Sequence, residues 1–293
     1  MTAKAGIGAL FGAMFLSSGA SAAELTHLGT YFWTEERAGF GGFSGLEMAE
    51  AGRTLFAASD AGDLFVAHVT RGPNGAVTAI ATDRQGRFLD NFGKPVAGFT
   101  ADAEALALGP DGTLHVAFES YARIAAFHPP DMMPEAESGW DRFRETWGNA
   151  GFEALTILPD GRLMAVMERV DVKGGYPTFI GVDKDWTPGP AIPTTGGYNA
   201  AGADTGPDGR IYLLERKTDF LGRFSTRIRR LDLNADGFGD GEVLLETPPG
   251  SLDNMEGISL WRDQGGRAII TLISDDNFRF FQDTLVVEYV LEE

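Results

Sequence analysis

One sentence of sequence recurs five times along this chain, and it fixes most of what the chain can fold into. A short apolar strand runs into a turn, a second apolar strand follows, and the unit ends on an acid. Gly151–Arg169 (GFEALTILPDGRLMAVMER) is the cleanest copy. The others are Phe43–Asp60, Asp102–Ser120, Asn199–Arg216 and Asn254–Asn277. The turn is Pro-Asp-Gly in three copies, a combination that closes hairpins: Pro presets φ, Asp bonds the backbone ahead, and Gly accepts positive φ.

The copies start roughly 48 to 60 residues apart. A self-similar unit of that length, made of short strands, predicts a propeller blade. Further strand-like pieces follow each copy (Leu64–Thr70 and Ala76–Thr82 after the first, Arg227–Leu233 and Glu242–Glu246 after the fourth) and complete four-stranded blades. The expected fold is therefore all-β, a propeller with five blades, or six if a degenerate one hides in the long first interval. The last copy is one strand short. The N-terminal piece Glu24–Trp33 is expected to supply it, so that the two chain ends close the ring and leave no free sheet edge. The competing reading is a β-sandwich with recurrent hairpins. His128–Gly148, rich in Pro, Glu and Trp, suggests a short helix, and Lys184–Gly197 a surface loop.

Residues 1–22 resemble a secretory signal, with Lys4, the apolar run Ala5–Leu16 and the small-residue site Ala20-Ser21-Ala22. A retained anchor is the alternative. The remainder, 23–293, is expected to be a single domain, periplasmic or secreted and monomeric, with no membrane span. Lys4 is the only charge in the leader, so 24 − 1 = 23 basic residues would face 42 acidic ones, a net charge of −19. That balance opposes binding to nucleic acid or an anionic membrane. The absence of cysteine excludes a thiol nucleophile and a thiolate metal site.

Eight residues before the turn glycine stand Ser44, Glu104, Glu153 and Ala201, and in the fifth copy, whose turn is longer, Glu256 stands ten before it. In a propeller the first strand of every blade lines the central channel, so equivalent residues gather in a ring. Glu104, Glu153 and Glu256 are expected at one mouth. The acids after the second strands, Asp60, Glu119, Glu168, Glu215 and Asp275 with Asp276, are expected to form a wider belt. Carboxylates held together repel unless protonated, paired or metal-bound. Oxygen-only sets suit Ca²⁺ or Mg²⁺. The alternative is that each Glu bonds backbone amides of the next blade and only locks blades together. Arg169 and Arg216 follow two second strands and could hold a phosphate oxygen or simply neutralise the acids. Separately, Asp232, Asn234, Asp236 and Asp240 form D-x-N-x-D-G-x-x-D, read either as a structural Ca²⁺ loop or as a plain turn.

Neither G-x-S-x-G nor H-E-x-x-H is present, the four histidines are scattered, and Ser44 has no base assigned to it. The repeated GFEAL…LPDGRL…ER, the Glu-Arg after PDGRIYLL, and the closing NMEGI…LISDDNFRFFQDT resemble the phytase-like family, whose activity is described as esterase-like. The resemblance covers Phe43 to Leu291, and its most specific part is Ser274–Phe278 with Gln282. It implies an exported propeller with phosphoester chemistry carried by Glu104, Glu153, Glu168, Glu215, Glu256, Asp275 and Asp276. The function expected is a Ca²⁺-dependent phosphoester or ester hydrolase acting on a small molecule, with Glu153, Glu256 and Glu104 catalytic. A non-catalytic binding propeller and a lactonase-type propeller hydrolase are the alternatives.

Overall fold

The computed structural model describes residues 23–143, 151–168 and 174–292. The expected leader at 1–22 and the candidate Arg169 lie outside them.

Five four-stranded antiparallel sheets form the five blades of a propeller. Blade 1 contains Phe43–Ala49, Thr54–Ser59, Asp63–Arg71 and Val77–Arg87; blade 2 contains Ala103–Leu108, Leu114–Phe118, Arg123–His128 and Asp131–Ser138. Blade 3 contains Phe152–Ile157, Leu163–Met167, Thr178–Val182 and Asp185–Pro188. Blade 4 contains Asn199–Thr205, Ile211–Thr218, Phe224–Leu231 and Glu242–Glu246. Blade 5 is built from Met255–Arg262, Ala268–Ser274 and Leu285–Glu292, with Glu24–Phe32 as its fourth, outer strand. The N-terminal strand runs antiparallel to the C-terminal one, from Glu24 opposite Glu292 to Phe32 opposite Leu285. The ring is thus closed by the chain ends, as the short fifth copy implies.

The first strand of each blade is innermost and packs against the first strands of its two neighbours. The core is divided into five apolar clusters, one per blade interface. Trp33, stacked on Phe43 at 5.1 Å, belongs to the cluster between blades 5 and 1. Each hairpin turn depends on its glycine: Gly52, Gly112, Gly161, Gly209 and Gly266 all have φ between 78° and 87°, where a side chain would be strained. In the three Pro-Asp-Gly turns the aspartate caps the backbone, as Asp111 does by accepting from the Thr113 N–H at 3.0 Å.

The long first interval holds no sixth blade. It is filled by the outer strand Val77–Arg87 and a connecting strap with one 3₁₀ turn, Gly98–Thr100. Both stretches set aside as irregular carry outer strands. Within His128–Gly148, Asp131–Ser138 is the edge of blade 2, followed by one 3₁₀ turn at Trp140–Arg142. Within Lys184–Gly197, Asp185–Pro188 is the edge of blade 3. Edge strands tolerate Pro and charge because one side of their backbone faces water, which is why Pro134, Pro188 and the acids around them hid the pattern.

Candidate active site at the channel mouth

A repeated irregularity builds the site. In every blade the pairing of the first two strands slips by one residue at the same place. The breaks fall between Phe43 and Gly45, Ala103 and Ala105, Phe152 and Ala154, Ala200 and Gly202, and Met255 and Gly257. The extra residues are Ser44, Glu104, Glu153, Ala201 and Glu256, the ring positions themselves. A β-bulge leaves its residue out of the ladder and re-aims its side chain. The fold therefore presents one re-aimed side chain per blade at the start of each inner strand.

The belt corrects one reading. Opposite the residue before each bulge stand Ser59, Phe118, Met167, Glu215 and Ser274. The next residue along each second strand is Asp60, Glu119, Glu168, Arg216 and Asp275. In blade 4 the belt residue is thus Arg216, and Glu215 points between blades. It is fully buried, accepting from Arg227 Nε at 2.7 Å, Arg229 Nε at 2.8 Å and the Tyr176 hydroxyl at 3.0 Å. Two guanidiniums occupy both its oxygens, so Glu215 is not a metal ligand at the mouth.

A third set of positions was missed. The belt amides of Asp60, Glu119, Glu168 and Asp275 donate to the carbonyls of Gly42, Asp102, Gly151 and Asn254, and Arg216 pairs with Asn199. These residues stand two before each bulge. Gly151 makes room at that position: a Cβ there would lie 2.0 Å from Glu119 Cγ. In blade 2 all three positions are acidic. One carboxylate oxygen from each of Asp102, Glu104 and Glu119 lies within 4.8 Å of the others, the group among the described residues that could hold a metal ion. Asp102 occupies in blade 2 the place that Asn254 takes in blade 5.

Arg216 is the cation that enters the cluster. Nη1 donates to Glu256 Oε1 and, at 2.9 Å, to Asn254 Oδ1; Nη2 lies 3.8 Å from Glu168 and 4.0 Å from Glu153. Burial alone would lower its pKa, but Glu256, Glu153, Glu168 and Glu104 together raise it. Glu256 also accepts from Ser44 Oγ at 3.1 Å and Asn254 Nδ2 at 2.6 Å. Ser44 is therefore a buried donor.

Burial raises the pKa of several of the other acids. Burial, then Glu153, Glu256 and Asp102, pushes Glu104 well above the usual carboxylate range. Burial likewise raises Glu153, with Arg216 opposing and Glu168 and Glu256 adding to it. Glu119 is raised by burial and by its hydrogen bond with Asp102. Asp60 is pushed up to about 6 and Asp275 to about 7, mainly by burial. Asp276 does a different job. It ties the loop around it, accepting from the amides of Gly42 at 2.9 Å and Phe278 at 3.0 Å and from the Thr284 hydroxyl at 3.2 Å.

Blade-locking carboxylates exist as well, at the other end of the inner strands. Glu47 and Asp204 stand three residues past the ring positions Ser44 and Ala201. Glu47 accepts from the Leu108 amide at 3.1 Å and Ser259 Oγ at 3.1 Å, and Asp204 from the amides of Leu260 at 2.6 Å and Thr205 at 2.7 Å. These bonds join blades 1, 2, 4 and 5. The Asp232–Asp240 loop folds as a hairpin, Leu233–Asn234 against Gly237–Phe238. Asp232 is paired with Arg210 at 3.1 Å. Among the described residues Asp232, Asp236 and Asp240 are not brought together as a ligand group.

Fold and mouth together define a five-bladed propeller with a bulge-built acidic site at one end of its channel. Within that class the chain belongs to the phytase-like family, described as "esterase-like activity of phytase", whose pattern matches residues 38–278. No curated protein matches it. The α-L-arabinofuranosidase from Podospora anserina, solved with cellotriose, is similar at 12% identity over 93% of this chain and 98% of that one, with a TM-score of 0.53. Virginiamycin B lyase from Staphylococcus aureus is similar at 11% identity over 92% and 100%, with a TM-score of 0.43. At such identities the likeness is one of fold.

Proposed function

We propose that this protein is an exported, Ca²⁺-dependent hydrolase of small esters or phosphoesters working at the acidic mouth. The observation that carries the reading is the convergence of Asp102, Glu104 and Glu119 beside Glu153 and Arg216. The three carboxylates of blade 2 offer hard oxygen ligands, which suit Ca²⁺ or Mg²⁺. Such an ion, when bound, polarises a substrate oxygen and acidifies water. Glu153 is the general base: it stands beside Arg216 and next to the carboxylates of blade 2, and burial raises its pKa above the ordinary carboxylate value. Glu256, saturated by Ser44, Asn254 and Arg216, is a positioning residue that fixes the guanidinium. Arg216 holds the anionic oxygen of the substrate or product.

With Arg216 as the cation among so many carboxylates in the described residues, the charge balance favours a neutral ester or lactone, or a phosphate bearing little charge, over a polyphosphorylated substrate. The test is a panel of esters, lactones, phosphomonoesters and phosphodiesters, assayed on chelator-stripped protein with and without Ca²⁺. Turnover that needs Ca²⁺ and falls at least a hundredfold in Glu153→Gln is the expected result. Ca²⁺ that raises the melting temperature without turnover on any member would replace this reading with a binding propeller.

A further inference from the structure

A cavity of about 370 Å³ lies between the strap that links blades 1 and 2 and the face of blade 2. That is the size of a small-molecule site. Its floor is Phe118 and Phe127, both buried, and its rim is Phe92 and Tyr121, which are 87% and 57% exposed. Exposed rings beside an apolar hollow need a reason. Phe92 is held there by a built turn, in which Asp90 Oδ1 accepts the amides of Phe92 and Lys94 at 2.9 Å each.

The polar end of the cavity is equally specific. Arg123 lies over the Phe118 ring at 3.9 Å and donates to the carbonyls of Ser120 and Thr100. Its Nε stands 3.8 Å from Glu137, too far for a hydrogen bond. The Glu137 carboxylate accepts no hydrogen bond among the described residues. A hydroxyl placed between the two would accept from Arg123 and donate to Glu137.

Position links this cavity to the mouth. Thr100 and Tyr121 line it, and each is two residues from a member of the metal-ligand group, Asp102 or Glu119. Two residues span at most about 7 Å of chain. We infer that the cavity seats a flat aromatic ring bearing a hydroxyl, so that the substrate class at the mouth is an ester or phosphoester carrying a hydroxylated aromatic ring. This rests on the mouth being the hydrolytic site. The ring seat itself can be measured without turnover.

The probe is 1-naphthol, titrated calorimetrically into the full mature chain, with naphthalene-1-methyl ether as the control lacking the donated hydrogen. Saturable binding is expected for 1-naphthol, at least tenfold weaker in Phe92→Ala, whose exposed position leaves the fold intact, and in the cavity-filling Ala125→Phe. In Glu137→Leu the preference for naphthol over the ether should vanish. In turnover, Phe92→Ala should raise KM for naphthyl esters and leave KM for ethyl esters unchanged, with kcat unchanged for both. Naphthol binding that is absent, or equal in wild type and Phe92→Ala, overturns the seat. Binding lost in the variants without turnover of any ester keeps the seat and removes the hydrolase reading instead.

Discussion

Replacing Arg216 by Met keeps an unbranched apolar stem and removes the guanidinium with its charge. Glu256 then loses its guanidinium partner, and Glu153 and Glu168 lose a cation at 4.0 and 3.8 Å. Two opposite charges 4 Å apart interact by about 4 kcal/mol at an effective dielectric of 20. Breaking a buried pair typically costs about 3–5 kcal/mol. The side chain of Arg216 keeps 22% exposure, so the lower end applies, about 3 kcal/mol at pH 8. For a chain of this size that is a fall of about 6 °C in melting temperature. The loss must shrink at pH 5. Glu104, Glu119 and Glu153 already have raised pKa values, and without Arg216 they take up protons more readily. Groups with raised folded-state pKa values contribute stability that is present below the unfolded pKa near 4 and lost as pH climbs through the folded value. Calcium should restore what the arginine supplied, since a bound ion at a hundred times its Kd contributes about 2.7 kcal/mol. The assay is thermal unfolding in EDTA and in Ca²⁺, at pH 5 and pH 8. A melting temperature unchanged by Arg216→Met in EDTA at pH 8, or a loss of equal size at pH 5, would refute the picture of a mouth braced by Arg216.

Two further predictions follow from the same electrostatics. Glu104→Gln removes a buried charge from among like charges, so the chelated protein should gain about 1 kcal/mol at pH 8, while Ca²⁺ should no longer raise its melting temperature; calorimetric titration with Ca²⁺ checks the second half. At the far end of the channel, Asp204 is pushed up to about 7 and Glu47 is raised well above its ordinary value, both chiefly by burial, with no basic side chain among the described residues bonded to either. Stability should therefore fall between pH 5 and pH 8 in EDTA, and Glu47→Gln, which can keep the bonds to Leu108 and Ser259, should flatten that fall; a slope identical to wild type would exclude this pair as its source.

Much of this architecture was written in the spacing of the turn glycines. Because each copy begins one blade, counting from the glycine located Glu104, Glu153 and Glu256 before any strand pairing was known. The count also contained the answer for blade 4. Seven residues after the glycine stand Glu119, Glu168 and Arg216, with Glu215 one short. An acid was expected at every belt position, and that expectation selected the wrong neighbour. The bulges were not legible, because a bulge is a property of two strands and nothing in the local sequence of Glu153 announces the slip opposite Met167. Asp102 was hidden differently: its equivalents are Gly42, Gly151, Asn199 and Asn254, so no shared residue type marks the position. Glu47 and Asp204 take the blade-locking role first imagined for the ring glutamates. Their identity depends on which inner strands touch at the far end, and that follows from ring closure alone.

Repetition by itself would give a symmetric ring, and a symmetric ring of carboxylates has no direction. This mouth has one because the copies differ. Blade 2 carries acids at all three positions, Asp102, Glu104 and Glu119, whereas blade 4 carries Asn199, Ala201 and Arg216. The cation side and the anion side of the mouth thus lie two blades apart, and blade 3, with Glu153 and Glu168, stands between them. Gly151 at the third position of blade 3 gives Glu119 the space to turn toward Asp102. A substrate oxygen drawn toward blade 2 and an anionic oxygen drawn toward Arg216 would align the reacting bond past Glu153. Exchanging the roles of two blades, as in Arg216→Glu combined with Glu119→Arg, would keep the net charge while moving the cation across the mouth. Activity lost in that variant, assayed at a temperature where unfolding shows it still folded, is what a directional site requires; activity retained would mean that the acids act as an undifferentiated sink of charge.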